Sequence, residues 1–311
     1  MHIRTTAALR RLFVAALLLV PFTATILAQA PPPQPAAQGG GRAGGQGGRA
    51  GGQGGRAGGP AGQPQRPPAG PVRRMPDGKP DLSGFYNAQG RGANYGLEKH
   101  ERWSFMPGGD GVVIDPPDGK LPMQDWAKKE LADRQKPERG YDDSTAHCIQ
   151  SAGVPRSFYV PSPFQILQPE GHLVVLFERM AWRQIPIASR PHLPETVRLW
   201  QGDSLGRWEG DTLIVETKNL NGKTWLNEAG EILSYQATVV ERFIPVNADT
   251  IRYQATVTDP KVYTRPWTIE VMFNRQADGE LLEVACLEDD QDLQHLKDIK
   301  EAVTGSEKKE N

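Results

Sequence analysis

The chain has 311 residues, with 36 Lys and Arg against 37 Asp and Glu and a formal net charge of -1. Nine of the basic residues and none of the acidic ones precede Asp77, so the rest of the chain carries about −10, a balance that favours solubility and excludes nucleic acid as the expected partner. The part able to fold, about 235 residues from Pro76, suits one β-rich domain.

Residues 1–30 read as a secretory signal peptide. Arg4, Arg10 and Arg11 precede an apolar run from Leu12 to Val20, and Ala28-Gln29-Ala30 offers cleavage after Ala28 or after Ala30. The run is too short to span a bilayer, and Pro21 interrupts it. The expectation is an exported mature chain, periplasmic or extracellular, without a transmembrane segment. Residues 31–74 are a Gly/Pro/Arg-rich linker in which Gly-Gly-Arg-Ala-Gly-Gly-Gln repeats from Gly40. Such a composition has little to bury and is expected to be disordered. Its Arg42, Arg49, Arg56 and Arg66, free of acidic neighbours, suit envelope polysaccharide or lipid, while the plainer role is that of a spacer.

A barrel domain is expected over residues 75–304. Gly84-Phe85-Tyr86 opens the first strand and is similar to the Gly-x-Trp that opens lipocalin-type barrels. Residues 87–122, rich in Gly, Pro and Asp, read as loop, and Gln124 to Gln135 reads as a helix with Trp126 and Leu131 inward. Strand patterns follow at Ser157–Val160, Phe164–Gln168, 172–180, 182–187, 197–200 and 212–217, then at 235–244, 250–258, 266–274 and 280–286. Gly202-Asp203 and Glu209-Gly210-Asp211 read as turns. So many strands joined by short loops predict an all-β fold, an antiparallel up-and-down, lipocalin-like or calycin-like barrel, with an open sheet or sandwich as the alternative. Residues 288–303 read as a C-terminal helix and 305–311 as a disordered tail. Cys148 and Cys286, the two cysteines of an exported chain, are expected to form a disulfide.

Gly202-Asp203-Ser204-Leu205-Gly206 contains a G-x-S-x-G match, and with Asp292 and His295 it resembles the esterase superfamily named for its Gly-Asp-Ser-Leu tetrad. A nucleophile elbow needs a strand before the serine and a helix after it, whereas a β-branched run follows here, so the stretch reads as architecture. None of the six histidines is paired at i,i+4, and no Gly-rich loop opens a helix; neither a metal site nor a cofactor is expected.

Strand parity places Glu241 inside the barrel, and Glu178 by the same reasoning from Leu176. Arg183, Arg156, Tyr253 and Tyr263 are the candidate partners for a buried carboxylate. Tyr263 and Trp267 lie on a rigid loop where aromatic rings either stack on a ligand at the barrel mouth or finish the core.

The segments 148–156, Arg190-Pro191-His192, 202–217, Glu241-Arg242-Phe243 and 259–267 resemble a large, poorly characterised family of secreted bacterial β-rich proteins. Gly206-Arg207-Trp208-Glu209-Gly210-Asp211-Thr212-Leu213 and the Asp259 to Trp267 segment are the most specific of these. The resemblance implies export and a β-rich fold, and no activity. That family carries Cys-His-Glu-Gly-Asn where this chain has Cys286-Leu287-Glu288-Asp289-Asp290, and histidines in the stretch where it has Glu231-Ile232-Leu233-Ser234. Any histidine chemistry of the family is therefore in doubt for this chain.

Three functions follow. The first is an exported binder of a small, largely apolar molecule with a polar end, held by Arg183, Glu241, Tyr263 and Trp267. The second is a barrel lyase, isomerase or hydrolase using Glu241 or Glu178 as base and His192 as acid. The third is a structural envelope protein whose core is filled by its own side chains.

Overall fold

The computed structural model describes residues 69–102, 106–149, 153–179, 181–284 and 291–307. Its strands are β1 (Gly84–Gln89), β2 (Val113–Asp115), β3 (Phe164–Leu167), β4 (His172–Phe177), β5 (Trp182–Pro186), β6 (Asp203–Glu209), β7 (Thr212–Lys218), β8 (Thr238–Pro245), β9 (Thr250–Thr258) and β10 (Trp267–Gln276). Its α-helices are α1 (Asp125–Arg134) and α2 (Gln291–Glu307). None of the described helices is long and apolar enough to cross a membrane.

Hydrogen-bonded neighbours run β5-β4-β3-β1-β10-β9-β8-β7-β6, with β2 added beside β10. Read around the ring, this is an up-and-down antiparallel meander rolled into a nearly closed barrel. The nine strands of that path are each antiparallel to the next, so the first and last must point the same way. The seam between β5 and β6 is accordingly made by a parallel bridge, Ile187 to Gly206. Residues 188–202 carry the chain back along the barrel, the length of connection that parallel neighbours require.

Alternation decides which face is inside. Ile251, Tyr253, Ala255 and Val257 of β9 and Trp267, Ile269, Val271 and Phe273 of β10 are all buried. Between β6 and β7 the loop is Gly210-Asp211, and Gly210 supplies the positive φ of 59° that a two-residue loop with glycine first needs.

Five expectations need correction. Residues 197–200 form no strand and make only the isolated bridge of Leu199 with Leu220. Ser157–Val160 is not a strand: Arg156–Phe158 forms a 3-10 turn. Pro155 and Pro161 flank it and remove ladder donors, and Phe158 points into the barrel instead. There its ring lies 5.3 Å from Phe164, 5.4 Å from Phe177, 5.7 Å from Phe243, 4.8 Å from Tyr253 and 5.2 Å from Phe273. Asp203-Ser204 begins β6 rather than making a turn. Residues 280–284 form no strand, and Leu282 is exposed. Trp126 lies on the outer side of α1, its indole N–H donating to the Lys261 carbonyl at 3.0 Å. Cys286, and with it the Cys148–Cys286 pairing, lies outside the described residues.

Candidate functional site

Arg183 and Glu241 meet inside the barrel, as strand parity predicts. The guanidinium donates from Nη1 to Glu241 Oε1 at 2.8 Å and from Nη2 to Oε2 at 2.5 Å, with both side chains essentially inaccessible. Ser204 and Thr217 each accept from Arg183 Nη2 at 2.8 Å, and the Tyr253 hydroxyl donates to Glu241 Oε1 at 2.9 Å. The network takes one side chain from each of β5, β6, β7, β8 and β9, and it ties β5 to β6 where ladder bonds are sparse. Burial, and then the Glu241 charge, push the Tyr253 hydroxyl well above its ordinary value. Each member is answered by another, so these residues serve the seam and face a filled interior.

The remaining candidates lie elsewhere. Glu178 is not inward: Leu173, Val175 and Phe177 are the buried set of β4, and Glu178 has the opposite parity. Arg156 pairs with Asp143 rather than with Glu241, at 2.9 and 2.8 Å. Tyr263 and Trp267 are buried rather than set at an open mouth. Their rings pack edge to face at 5.2 Å, and the Tyr263 hydroxyl donates to the Ile232 carbonyl at 2.8 Å.

Ser204 is a member of the interior network, whereas His295 lines a cavity beneath α2 with Leu296 and Ile299; no serine–histidine pair forms. The Asp292 side chain lies outside the described residues. Among the described residues, no group of three or more His, Cys, Asp or Glu is placed to hold a metal ion.

His192 sits on the outer face of the β6–β7 wall, on the opposite side from Glu241. Its Nδ1 is 2.9 Å from Asp203 Oδ2 and its Nε2 is 3.0 Å from Glu216 Oε1. Arg190 donates to Asp203 Oδ1 at 2.7 Å, and the Leu193 N–H to Oδ2 at 2.9 Å. Partial burial raises the Asp203 carboxyl, but hydrogen bonds from Arg190, Leu193 and His192 outweigh it and hold the group below its usual range. The cluster fastens the 188–202 crossover to the wall. The pairing of a buried glutamate with His192 as base and acid therefore does not form.

A different constellation lies beside the barrel. The hairpin Trp225–Ile232 closes through the Leu226 N–H to Glu231 carbonyl bond at 2.7 Å and turns at Asn227–Gly230. Gly230 has φ 92°, and a Cβ there would lie 2.6 Å from Arg134 Cβ, so glycine lets α1 approach. Arg134 in turn stacks over Trp225 at 5.1 Å.

Between α1, this hairpin and the 95–100 and 120–123 segments lies a cleft of about 460 Å³. Leu121, Met123, Leu131, Ala132 and Ala229 supply its apolar wall, and Lys99, Lys120 and Lys128 stand at its rim.

Its floor is polar. Glu231 is only 5% exposed, and its Oε2 accepts from Asn227 Nδ2 at 2.8 Å and from the Leu97 N–H at 3.2 Å. Burial drives its carboxyl up to about 7 despite those two bonds, and the Glu98 charge adds to the rise. His100 is fixed by reciprocal backbone bonds with Gly109, both at 2.9 Å. Its Nδ1 lies 2.8 Å from the Glu98 carbonyl, which can only accept, so Nδ1 carries a proton. Its Nε2 is buried and has no hydrogen-bond partner. An apolar wall with a buried, raised carboxyl at its base marks this cleft as the candidate binding site. Sequence reasoning assigned no site role to Glu231 or His100, because each is a single polar residue in an irregular segment; the one signal was the family's histidines in the stretch that begins at Glu231.

No protein-family model and no curated protein sequence matches the chain.

Proposed function

We infer that this chain is an exported small-molecule-binding barrel protein whose site is the cleft beside the barrel rather than its interior. The observation that carries this reading is the cleft itself, with an apolar wall ending in buried Glu231. A volume of about 460 Å³ suits a small ligand, largely apolar and with one polar end. Export rests on the pattern of residues 1–30, and the Arg/Gly tract would tether the domain near envelope polysaccharide or lipid. The interior packed around Phe158 is what a purely structural protein would also have; the cleft is what favours binding.

Binding of an environment-sensitive apolar dye, followed by fluorescence, tests the site. Ala132 is exposed on α1 and lines the cleft, so Ala132→Trp fills it without entering the core. Dye affinity should fall at least about tenfold in that variant; unchanged affinity in a folded variant places binding elsewhere.

A second reading, acid–base catalysis in the same cleft, is supported by the Glu231 carboxyl, raised to about 7 by burial, in a cleft that His100 also lines. A ligand recovered chemically unchanged after long incubation with the protein counts against it.

A further inference from the structure

Thr238 of β8 stands opposite Thr258 of β9, so the 219–237 and 259–266 connections leave the barrel at the same end. The 188–202 crossover reaches that end through the Leu199–Leu220 bridge. Side chains from these segments and from α1 form one continuous exposed surface. The Asn221 N–H donates to the Leu199 carbonyl at 3.0 Å, and a Cβ on Gly222 would lie 2.5 Å from the Tyr235 nitrogen. Lys261 covers the Tyr235 ring at 5.0 Å, and its carbonyl accepts the Trp126 indole N–H at 3.0 Å.

The centre of this surface is apolar. Trp126 and Tyr235 are each 43% exposed, Leu199 38% and Val197 36%. Single exposed apolar side chains are ordinary, whereas four joined through such contacts make a patch. Its border is cationic. Arg198 stacks on Tyr235 at 5.3 Å and donates to its carbonyl at 2.9 Å, and Lys223 follows the Gly222 turn. Arg198, Lys223 and Lys261 are all exposed, and among the described residues none of them forms an ion pair. The acids nearby do not cancel them. Asp259 is buried and accepts from the Ser234 N–H and hydroxyl, Asp125 is bound to Lys128, and the crossover carries only Glu195.

The chain from Asp77 onward carries about −10, so these unanswered cations give this end the opposite charge to the whole. Tryptophan and tyrosine at a water–hydrocarbon boundary, with lysine and arginine reaching towards phosphate, is the composition that membrane interfaces select. A protein partner would favour a centre cleared of lysine, and here Lys261 lies over the central ring. We propose that this end of the barrel docks on an anionic lipid surface. Trp126, Val197, Leu199 and Tyr235 meet the acyl boundary, and Arg198, Lys223 and Lys261 meet the lipid phosphates. Each such cation strengthens binding roughly fivefold, and salt screens it within about 10 Å at 0.1 M. The surface uses no residue that lines the cleft and none of the Arg/Gly tract.

The test is co-sedimentation of the full chain with vesicles of phosphatidylcholine, alone or mixed with anionic phosphatidylglycerol. The mixed vesicles should bind at least about tenfold more tightly, and Lys223→Glu with Lys261→Glu should remove that advantage in a chain whose circular dichroism is unchanged. Val197→Ser with Leu199→Ser, which leaves every charge in place, should weaken binding as well and carries the test if the charge variant fails to fold. Brominated acyl chains should quench the native fluorescence more than that of Trp126→Phe. Equal binding to both kinds of vesicle, or to neither, overturns the proposal. Binding unchanged in both double variants also overturns it, because the Arg/Gly tract or residues 1–30 would then be the contact. Self-association that Leu199→Ser abolishes, without vesicle binding, overturns the lipid assignment in favour of a protein partner.

Discussion

Glu231 is a carboxyl whose surroundings favour its neutral form, and that preference should be visible in stability. Its native value lies at about 7, above the ordinary 4.5, so the native state holds this proton more tightly than the unfolded chain does. The stabilisation is complete below about pH 4.5 and is lost as pH rises through about 7. Gln at this position keeps an oxygen for Asn227 and Leu97 but never ionises. The stability of Glu231→Gln relative to the native chain should therefore rise between pH 4 and pH 8 by on the order of 3 kcal/mol. Urea denaturation at the two pH values measures this, and a pH-independent difference would refute it. Glu231 has no assigned role in the sequence for a plain reason: burial, not residue type, makes it unusual, and burial in a loop leaves no periodic trace.

At the scale of elements, the 188–202 crossover has no strand or helix of its own and is fastened by side chains. Arg190, His192 and Leu193 all bind Asp203, while Asn219 Nδ2 donates to the Leu193 and Pro194 carbonyls, each at 2.9 Å. Gly202 allows the entry into β6: its φ is 68°, and a Cβ there would lie 2.6 Å from the Lys218 carbonyl oxygen. Asp203 and Glu216 are both held below their ordinary values of 3.8 and 4.5, so their contribution is present above those values and is lost as pH falls through the lowered ones. Asp203→Asn should cost about 1.5–3 kcal/mol at neutral pH, with the difference from the native chain shrinking as pH falls below about 4. Thermal unfolding across that range is the measurement; a loss that is constant with pH would mean the carboxylate charge is not what fastens the crossover.

For the whole molecule, closure is the governing fact. A meander of nine strands leaves one parallel seam, and there the Arg183–Glu241 network supplements the Ile187–Gly206 bridge. Glu241→Gln leaves a buried guanidinium without its counter-charge and should cost about 3–5 kcal/mol, whereas the double change Arg183→Met with Glu241→Leu should cost less. Chemical denaturation of the three proteins decides between them, and a double variant as unstable as the single one would show that packing, not charge, holds the seam.

Much of this architecture is legible in the amino-acid order. The period-two burial of β9 and β10, the glycine-led loop at Gly210 and the inward parity of Glu241 follow from local rules, because a strand with one buried face writes that face into every second residue. Ser204 matches a nucleophile motif that the β-branched run after it argues against, and its role as an acceptor for Arg183 is set by residues from other strands. The conversion of Ser157–Val160 from strand to plug, the placement of His192 outside the wall and the cleft under α1 belong to tertiary structure alone. Each depends on which distant segments pack together, and contacts such as Arg134 with Gly230 or Leu97 with Glu231 leave no periodicity for the chain to reveal.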